Sequence, residues 1–527
     1  MPFSKKEIHS FIYLLGLLGL AVSVTLSLYV MSIAQFVLLA NWLAEGQLSS
    51  KVKTFFRNKP ALVFTGIYFL HLAGLFCTHD ISNALAELRI KLPLLALPVI
   101  FSTSPPISRK SFNLVLFFHI AGTFVSGLIS FYIFKTRSVS DIRDIFIFIS
   151  HIRYSLNVCV DIFIILYFVF NKNSLKYWIK GLLLLLMAWF IYYLLFMESF
   201  TGMIIFTLTL ASVIILVTVK NSKRIYKVSF LILLVVVLTG ALIYLRSMYK
   251  EYTDIKPIDP KTVTQYTRHG NRYVNDLTNK MTDNGYYTWM YVCDEELEAS
   301  WNCRSRIKYD SVDAMNSPIR FTIVRFLTSK GLKKDMDGVN SLSEMEISLI
   351  EKGVANIDYL KKGSFRNRLK NAIWEYENYK ITHDPRGQSM MQRIELWKTA
   401  WALFKDHCLL GLGTGDVKNV FAAKLVVDDS LLKGSGLRPH NQYLTILLEF
   451  GIFGFIFFMF CLLYPGIRQK KFSDFLFVSV FVIALLSMFT EDTLETQAGV
   501  TFVAYFSCLL LFVYKNFKSE NKKVILR

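Results

Sequence analysis

The sequence predicts an all-α, polytopic integral membrane protein with about twelve transmembrane helices and one large, mainly helical loop domain on the outer face. Three observations predict it. The 527 residues are 53% hydrophobic and 15% aromatic, and the apolar residues fall in runs longer than a soluble core helix needs. Every second polar break between those runs is basic. A single long hydrophilic stretch interrupts the series late in the chain.

A bilayer-spanning helix needs about 20 mostly apolar residues, because no water is available there to hydrogen-bond an exposed backbone. Runs of this kind lie near 9–27, 29–44, 61–77, 90–103, 112–134, 156–170, 178–197, 202–219, 229–246, 442–464, 474–490 and 499–515. The fourth is short and holds Pro93 and Pro98, so a kinked or re-entrant segment is the alternative there. The first run meets the second almost at once and lacks a small-residue cleavage site, so it reads as a span and not as a signal peptide.

Orientation follows from the short loops. With Lys5 and Lys6 inside, the inner side also receives Lys51, Lys53, Arg57 and Lys59; Arg109 and Lys110; Lys172, Lys176 and Lys180; Lys220, Lys223, Arg224 and Lys227; Arg468, Lys470 and Lys471; and the tail from Lys515. The net charge of +20 is therefore mostly topogenic; no aromatic-interleaved basic module is present, and no nucleic-acid partner is expected. The chain divides into an N-terminal membrane domain at 1–246, a large loop domain at 247–440, and a C-terminal membrane domain with a basic tail at 441–527.

Within the loop, Cys293 and Cys303 form a short-loop disulfide in an oxidising compartment or remain two free thiols. No metal is expected, since HExxH, CxxC and clustered carboxylate ligands are missing from the sequence. The glycines of "CLLGLGTGDVKN" lack both the GxGxxG and GK[ST] forms and read as a tight turn at the domain surface. "QSMMQRIELWKTAWALF" places Met391, Ile394, Trp397, Ala400, Trp401 and Phe404 at helical spacing, with Arg393 beside the stripe.

The candidate chemistry gathers at the outer face. The loop at 135–155 breaks the charge rule with Lys135, Arg137, Arg143, His151 and Arg153, through topogenic noise or to hold an anion such as a phosphate or pyrophosphate. At "RPHNQYL", Pro439 precedes His440, Asn441 is a good N-cap, and an apolar run of about 24 residues follows, roughly 36 Å of helix. His440 thus sits at the positive end of a helix dipole, either as an interfacial anchor or as a proton acceptor near neutral pH. Glu449 and Asp161 lie inside spans, where carboxylates usually mark a partner or a site. "TEDTLETQ" brings Glu491, Asp492 and Glu495 to the same surface, as a sugar-holding loop or a solvated one.

As a set, these residues resemble the O-antigen ligase and O-antigen polymerase superfamily of bacterial inner membranes. The resemblance rests on the span layout, the long loop before the last spans, "RIELW" from Arg393, "GLGTGD", and "HNQYL" from His440 followed by "EFGIFG"; "ALAELRIKLPLLALPVIF" and "RFLTSKGLKKDMDGVNSL" look similar to Bacteroidetes-type members. It implies a GT-C-like glycosyltransferase with cytoplasmic termini and a periplasmic loop. Such an enzyme moves a glycan from undecaprenyl-pyrophosphate to lipid A-core, or in polymerases to a lipid-linked repeat, without a cofactor. It implies His440 as base and Arg393 as pyrophosphate grip, with Arg438 and Asn441 counted among the donor or glycan contacts. The family's serine-arginine pair at the outer end of a mid-chain span is replaced by "MESFTGM", with Phe200 where arginine is expected, so Arg153 or Arg143 is the candidate substitute.

Many spans and intramembrane acids also suggest a transporter, yet no halves repeat and no paired broken helices stand in corresponding positions.

Overall fold

A computed structural model describes residues 4–137, 142–170, 175–197, 199–220, 224–253, 258–315, 317–360 and 365–514. The tail from Lys515, with Lys172 and Lys223, lies outside them. The structure is mostly helical; its sheet, among the described residues, is one hairpin pairing 282–283 with 286–287 across Asn284 and Gly285, both at positive φ as a type I′ turn requires.

In chain order the first helices are α1 (Lys5–Leu26), α2 (Leu28–Ala44), α3 (Leu48–Arg57), α4 (Lys59–Ala73), α5 (Ile81–Lys91), α6 (Pro93–Thr103), α7 (Arg109–Thr136), α8 (His151–Phe170), α9 (Tyr177–Phe196), α10 (Phe200–Lys220) and α11 (Arg224–Thr253). Then come α12 (Asp294–Arg304), α13 (Ile319–Ser329), α14 (Met336–Asn340), α15 (Glu344–Glu351), α16 (Phe365–Thr382), α17 (Ser389–Asp406), α18 (Val417–Val427), α19 (Gln442–Arg468), α20 (Phe475–Thr490) and α21 (Gln497–Cys508).

Six stretches among the described residues are long and apolar enough to cross a membrane: α1, α4 with its continuation to Cys77, α7, α8, α9 and α19. Helices α2 and α3 together form a further apolar pair bent by 112°, and 200–216, 475–490 and 497–513 are shorter apolar helices. The run at 90–103 becomes the 11-residue α6, which opens at Pro93, where a missing N–H costs nothing. The run at 229–246 lies within α11.

The chain separates into two compact units. The first comprises residues 1–136, 145–227 and 393–527, and the second comprises 137–144 and 228–392. The first unit's core runs from Leu17 and Leu20 of α1 through Phe163 of α8 to Tyr505 of α21, all at or near zero exposure. The second unit is built on Trp301, Ile323, Phe326 and Ile350. In it Cys293 and Cys303 are free thiols at the two ends of α12. Ten helical positions separate their Cα atoms by about 15 Å, beyond the reach of a disulfide.

Helix α17 buries Leu396, Ala400 and Leu403 against Val417, Phe421, Leu425 and Leu448, while Trp401 is exposed. Of the stripe that spacing predicts, Met391 and Ala400 are buried and Phe404 packs on this cluster, whereas Trp401 faces out.

Candidate functional site

His440 lies in the left-handed region, at φ 51°, a conformation in which histidine is enriched though uncommon. Its surroundings fix it there. One carboxylate, Asp492, accepts the backbone N–H groups of His440 and Asn441, both at 3.0 Å, and the Thr445 hydroxyl at 2.9 Å. Asn441 caps α19, its Oδ1 accepting from the N–H groups of Tyr443 and Leu444. Trp397 Nε1 donates to the Pro439 carbonyl at 2.9 Å, and the Trp397 ring meets Phe489 edge-on. The loop expected to be solvated or sugar-holding therefore anchors the histidine, and Asp492 and Glu495 are buried.

Glu491 joins two of the expected site residues. Its Oε1 accepts from Arg393 at 2.8 Å, and its Oε2 lies 3.7 Å from His440 Nδ1. The second contact is a charge pair, longer than a hydrogen bond. Glu491 is the largest influence on His440 and raises its pKa above the ordinary 6.5 against the opposing effect of burial. Burial pushes Glu491 up, but His440 and Arg393 outweigh it and hold the carboxyl below its usual range.

Arg153, from the first turn of α8, lines one cleft with Glu491, Ser150, Asn157, Thr493 and Gly499. A Cβ at Gly499 would collide with the Thr493 carbonyl and with Arg153 Nη1, so the close approach of this turn to the guanidinium needs glycine there. Two residues along α8, Ser155 accepts from the Ser199 hydroxyl at 3.1 Å, which sets the start of α10, with Phe200, against α8. Arg143 lies on an exposed 3-10 turn that belongs to the second unit.

Arg438 turns to different partners, Glu495 at 3.2 Å and Glu87 at 3.7 Å. Glu495 also accepts from Lys91 at 2.8 Å and from Gln442 at 3.0 Å. Burial pushes Glu495 up, yet Lys91, Gln442 and Arg438 bring it down to about 2. The intramembrane acids find histidines: His71 Nε2 is 3.5 Å from Glu449 Oε2, and His119 Nε2 is 3.5 Å from Asp161 Oδ1. His71, Glu449 and Glu495 offer ligand atoms within 4.8 Å of one another, a spacing a metal ion could use. The Lys91 ammonium on Glu495 already brings positive charge to that set.

The span containing Glu449 is broken. Gly451 has φ 62° and ψ −165°, so α19 consists of two half-helices. The freed backbone groups are taken by the glycine-spotted segment: the N–H groups of Leu412 and Gly413 donate to the carbonyls of Leu448 and Glu449, and Ile452 N–H donates to Cys408, all at 2.8 Å. Side chains at Gly411 or Gly451 would strike the facing backbone. The "GLGTGD" run is thus a buried packing element and not a surface turn.

Sequence reasoning missed Glu87, Lys91 and His71. Ionisable residues in or beside apolar runs were the available signal.

No curated protein matches the chain. Residues 353–459, which span Arg393, His440 and Glu449, match the family model Wzy_C, described as O-antigen ligase, and this match supports the assignment of the chain to the O-antigen ligase and polymerase superfamily.

Proposed function

We propose that the chain is an O-antigen ligase, transferring a glycan from undecaprenyl-pyrophosphate to a sugar of lipid A-core at the periplasmic face of the inner membrane. The observation that carries this reading is the single carboxylate, Glu491, that faces His440, bonds Arg393 and lines a cleft with Arg153. The match of residues 353–459 supports a ligase or polymerase acting on lipid-linked glycan, and a polymerase joining lipid-linked repeats is the second reading. The basic alternate loops support cytoplasmic termini and a long loop on the outer side.

In this mechanism Nδ1 of His440 faces Glu491, and Nε2 takes the proton of the acceptor hydroxyl. The deprotonated oxygen attacks the anomeric carbon, a new C–O bond forms, and the bond to pyrophosphate breaks on the opposite side, inverting the centre. Arg153 and Arg393 hold the leaving anion with planar, paired donors, which supplies the charge stabilisation without a metal. Asp492 and Asn441 fix the backbone from which His440 projects.

The test is a lipopolysaccharide gel from cells lacking the chain. Bare lipid A-core with long glycan retained on the polyprenyl carrier is the expected result, and His440→Ala should reproduce it with protein still in the membrane. Core capped with single repeats would instead identify a polymerase, and unchanged glycan with altered solute uptake would sink the enzyme reading.

A further inference from the structure

Helix α5 is held at both ends by bonds to distant parts of the chain. At its start the Asp416 carboxylate accepts the backbone N–H groups of His79 and Asp80, each at 2.8 Å, and Asn83 Nδ2 donates to the Gly415 carbonyl at 2.7 Å. At its end the Lys91 ammonium donates to Glu495 Oε2 at 2.8 Å and to Glu87 Oε2, one turn back, at 3.3 Å. Lys91 is fully buried, and the side chains of Glu495 and Glu87 are only 2% and 8% exposed. A lysine in the last turn of a helix can serve the helix dipole from the surface. A buried one has lost its hydration, and its partners must replace that water.

Glu495 passes this anchor to both sides of His440. Its Oε2 accepts from Arg438, two residues before the histidine, and its Oε1 accepts from Gln442 Nε2, two residues after it. Gln442 returns a bond, its Oε1 accepting the Leu494 N–H at 2.6 Å. Earlier in the same turn Asp492 accepts the N–H groups of His440 and Asn441 and the Thr445 hydroxyl, and Glu491 stands opposite the imidazole. The segment 438–445 and the turn 491–495 are thus bonded together around His440. Without Lys91, Glu495 and Glu87 would share Arg438 alone, and one buried carboxylate would lack a counter-charge.

We infer that Lys91 is a positioning residue for the transfer: by fixing Glu495 it holds the turn 491–495 against the segment 438–445 and so keeps the His440 imidazole opposite Glu491. The inference rests on the transferase reading for the reaction it serves, and it adds to that reading a residue of α5 that acts through Glu495. Arg438 then belongs to the same positioning set.

Two variants of the full chain in nanodiscs test it. Lys91→Met removes the ammonium at similar side-chain length and should lower the melting temperature, because Glu495 stays buried without it. Lys91→Met/Glu495→Gln removes both charges, leaves Glu87 to Arg438, and should melt close to the wild type, so it separates positioning from stability.

The first readout needs no turnover. Diethyl pyrocarbonate attacks the neutral imidazole, and its reaction with His440 can be followed peptide by peptide across pH, with the exposed His383 as internal reference. Glu491, and after it Asp492, raise the pKa of His440, while Arg393 opposes them. A turn that moves off the imidazole takes both carboxylates with it, so in both variants the His440 midpoint should fall by about half a pH unit or more while that of His383 stays in place. A wild-type midpoint at His440 in the double variant overturns the inference.

The second readout is transfer from polyprenyl-linked glycan to bare lipid A-core, both extracted from cells lacking the chain. In the double variant kcat should fall about a hundredfold, the cost of misplacing a reacting group by about 1 Å, with both KM values unchanged. Full kcat, or a loss confined to KM, overturns the inference too. A wild-type chain that transfers nothing from its own donor defeats the transferase reading alone, and the His440 midpoint still decides whether Lys91 fixes the imidazole.

Discussion

Arg393 donates to Glu491 at 2.8 Å across 98 residues of sequence, and the other oxygen of that carboxylate faces His440. An arginine beside a helix stripe, a histidine at a helix mouth and a glutamate in a short loop thus share one charge system. Glu491 is the negative neighbour that raises the pKa of His440, and His440 and Arg393 together lower that of Glu491.

Removal of the Glu491 charge should change the pH profile. His440 has its pKa raised, so as a base it becomes competent only as pH climbs through a value above the ordinary 6.5. In Glu491→Gln the acidic limb of kcat/KM should move to lower pH, with a fall in maximal rate; an unmoved limb would show that Glu491 does not set the protonation of His440. By the same sign, the stabilisation from the pair is fully present below the unfolded histidine's pKa and is lost as pH rises through the folded one.

Gly499→Ala should act as a donor-side lesion although alanine carries no charge. Its methyl group would meet both the Thr493 carbonyl and Arg153 Nη1, so the turn after Glu491 is displaced together with the guanidinium. Donor KM is expected to rise about tenfold, as for loss of one charged contact, and Arg153→Ala should add little further in the double variant. Full additivity of the two changes would contradict the proposed shared cause.

Gly451→Ala should destabilise the membrane unit by about 3 kcal/mol or more, from left-handed strain plus collision with the backbone of Leu409. Thermal melting of the purified chain in detergent measures this. A melting temperature equal to that of the wild type would mean the break in α19 is not required.

Cysteine chemistry separates the thiols of α12. Without reductant, Cys303 should react with maleimide in the folded chain, whereas the buried Cys293 should react only after unfolding. A mass spectrum showing both protected until reduction would establish a disulfide and refute the helix between them.

The helical, apolar character of the fold was legible because bilayer physics writes it into composition: long apolar runs and a capped helix start at Asn441 are local patterns. His440 and Arg393 were legible for the same reason, one as a titratable group at a helix mouth and the other beside an amphipathic stripe. The structure alone decided what they touch. Glu491 lies 98 residues from Arg393, Lys91 lies 404 from Glu495, and His71 meets Glu449 across two helices; no periodicity encodes such pairings. The break at Gly451 was hidden too, since a glycine in an apolar run reads as helix until another segment arrives to take the freed carbonyls of Leu448 and Glu449. Sequence determined which residues had to leave the lipid, because burial of unpaired polar groups is costly everywhere; tertiary packing decided which partner each one found.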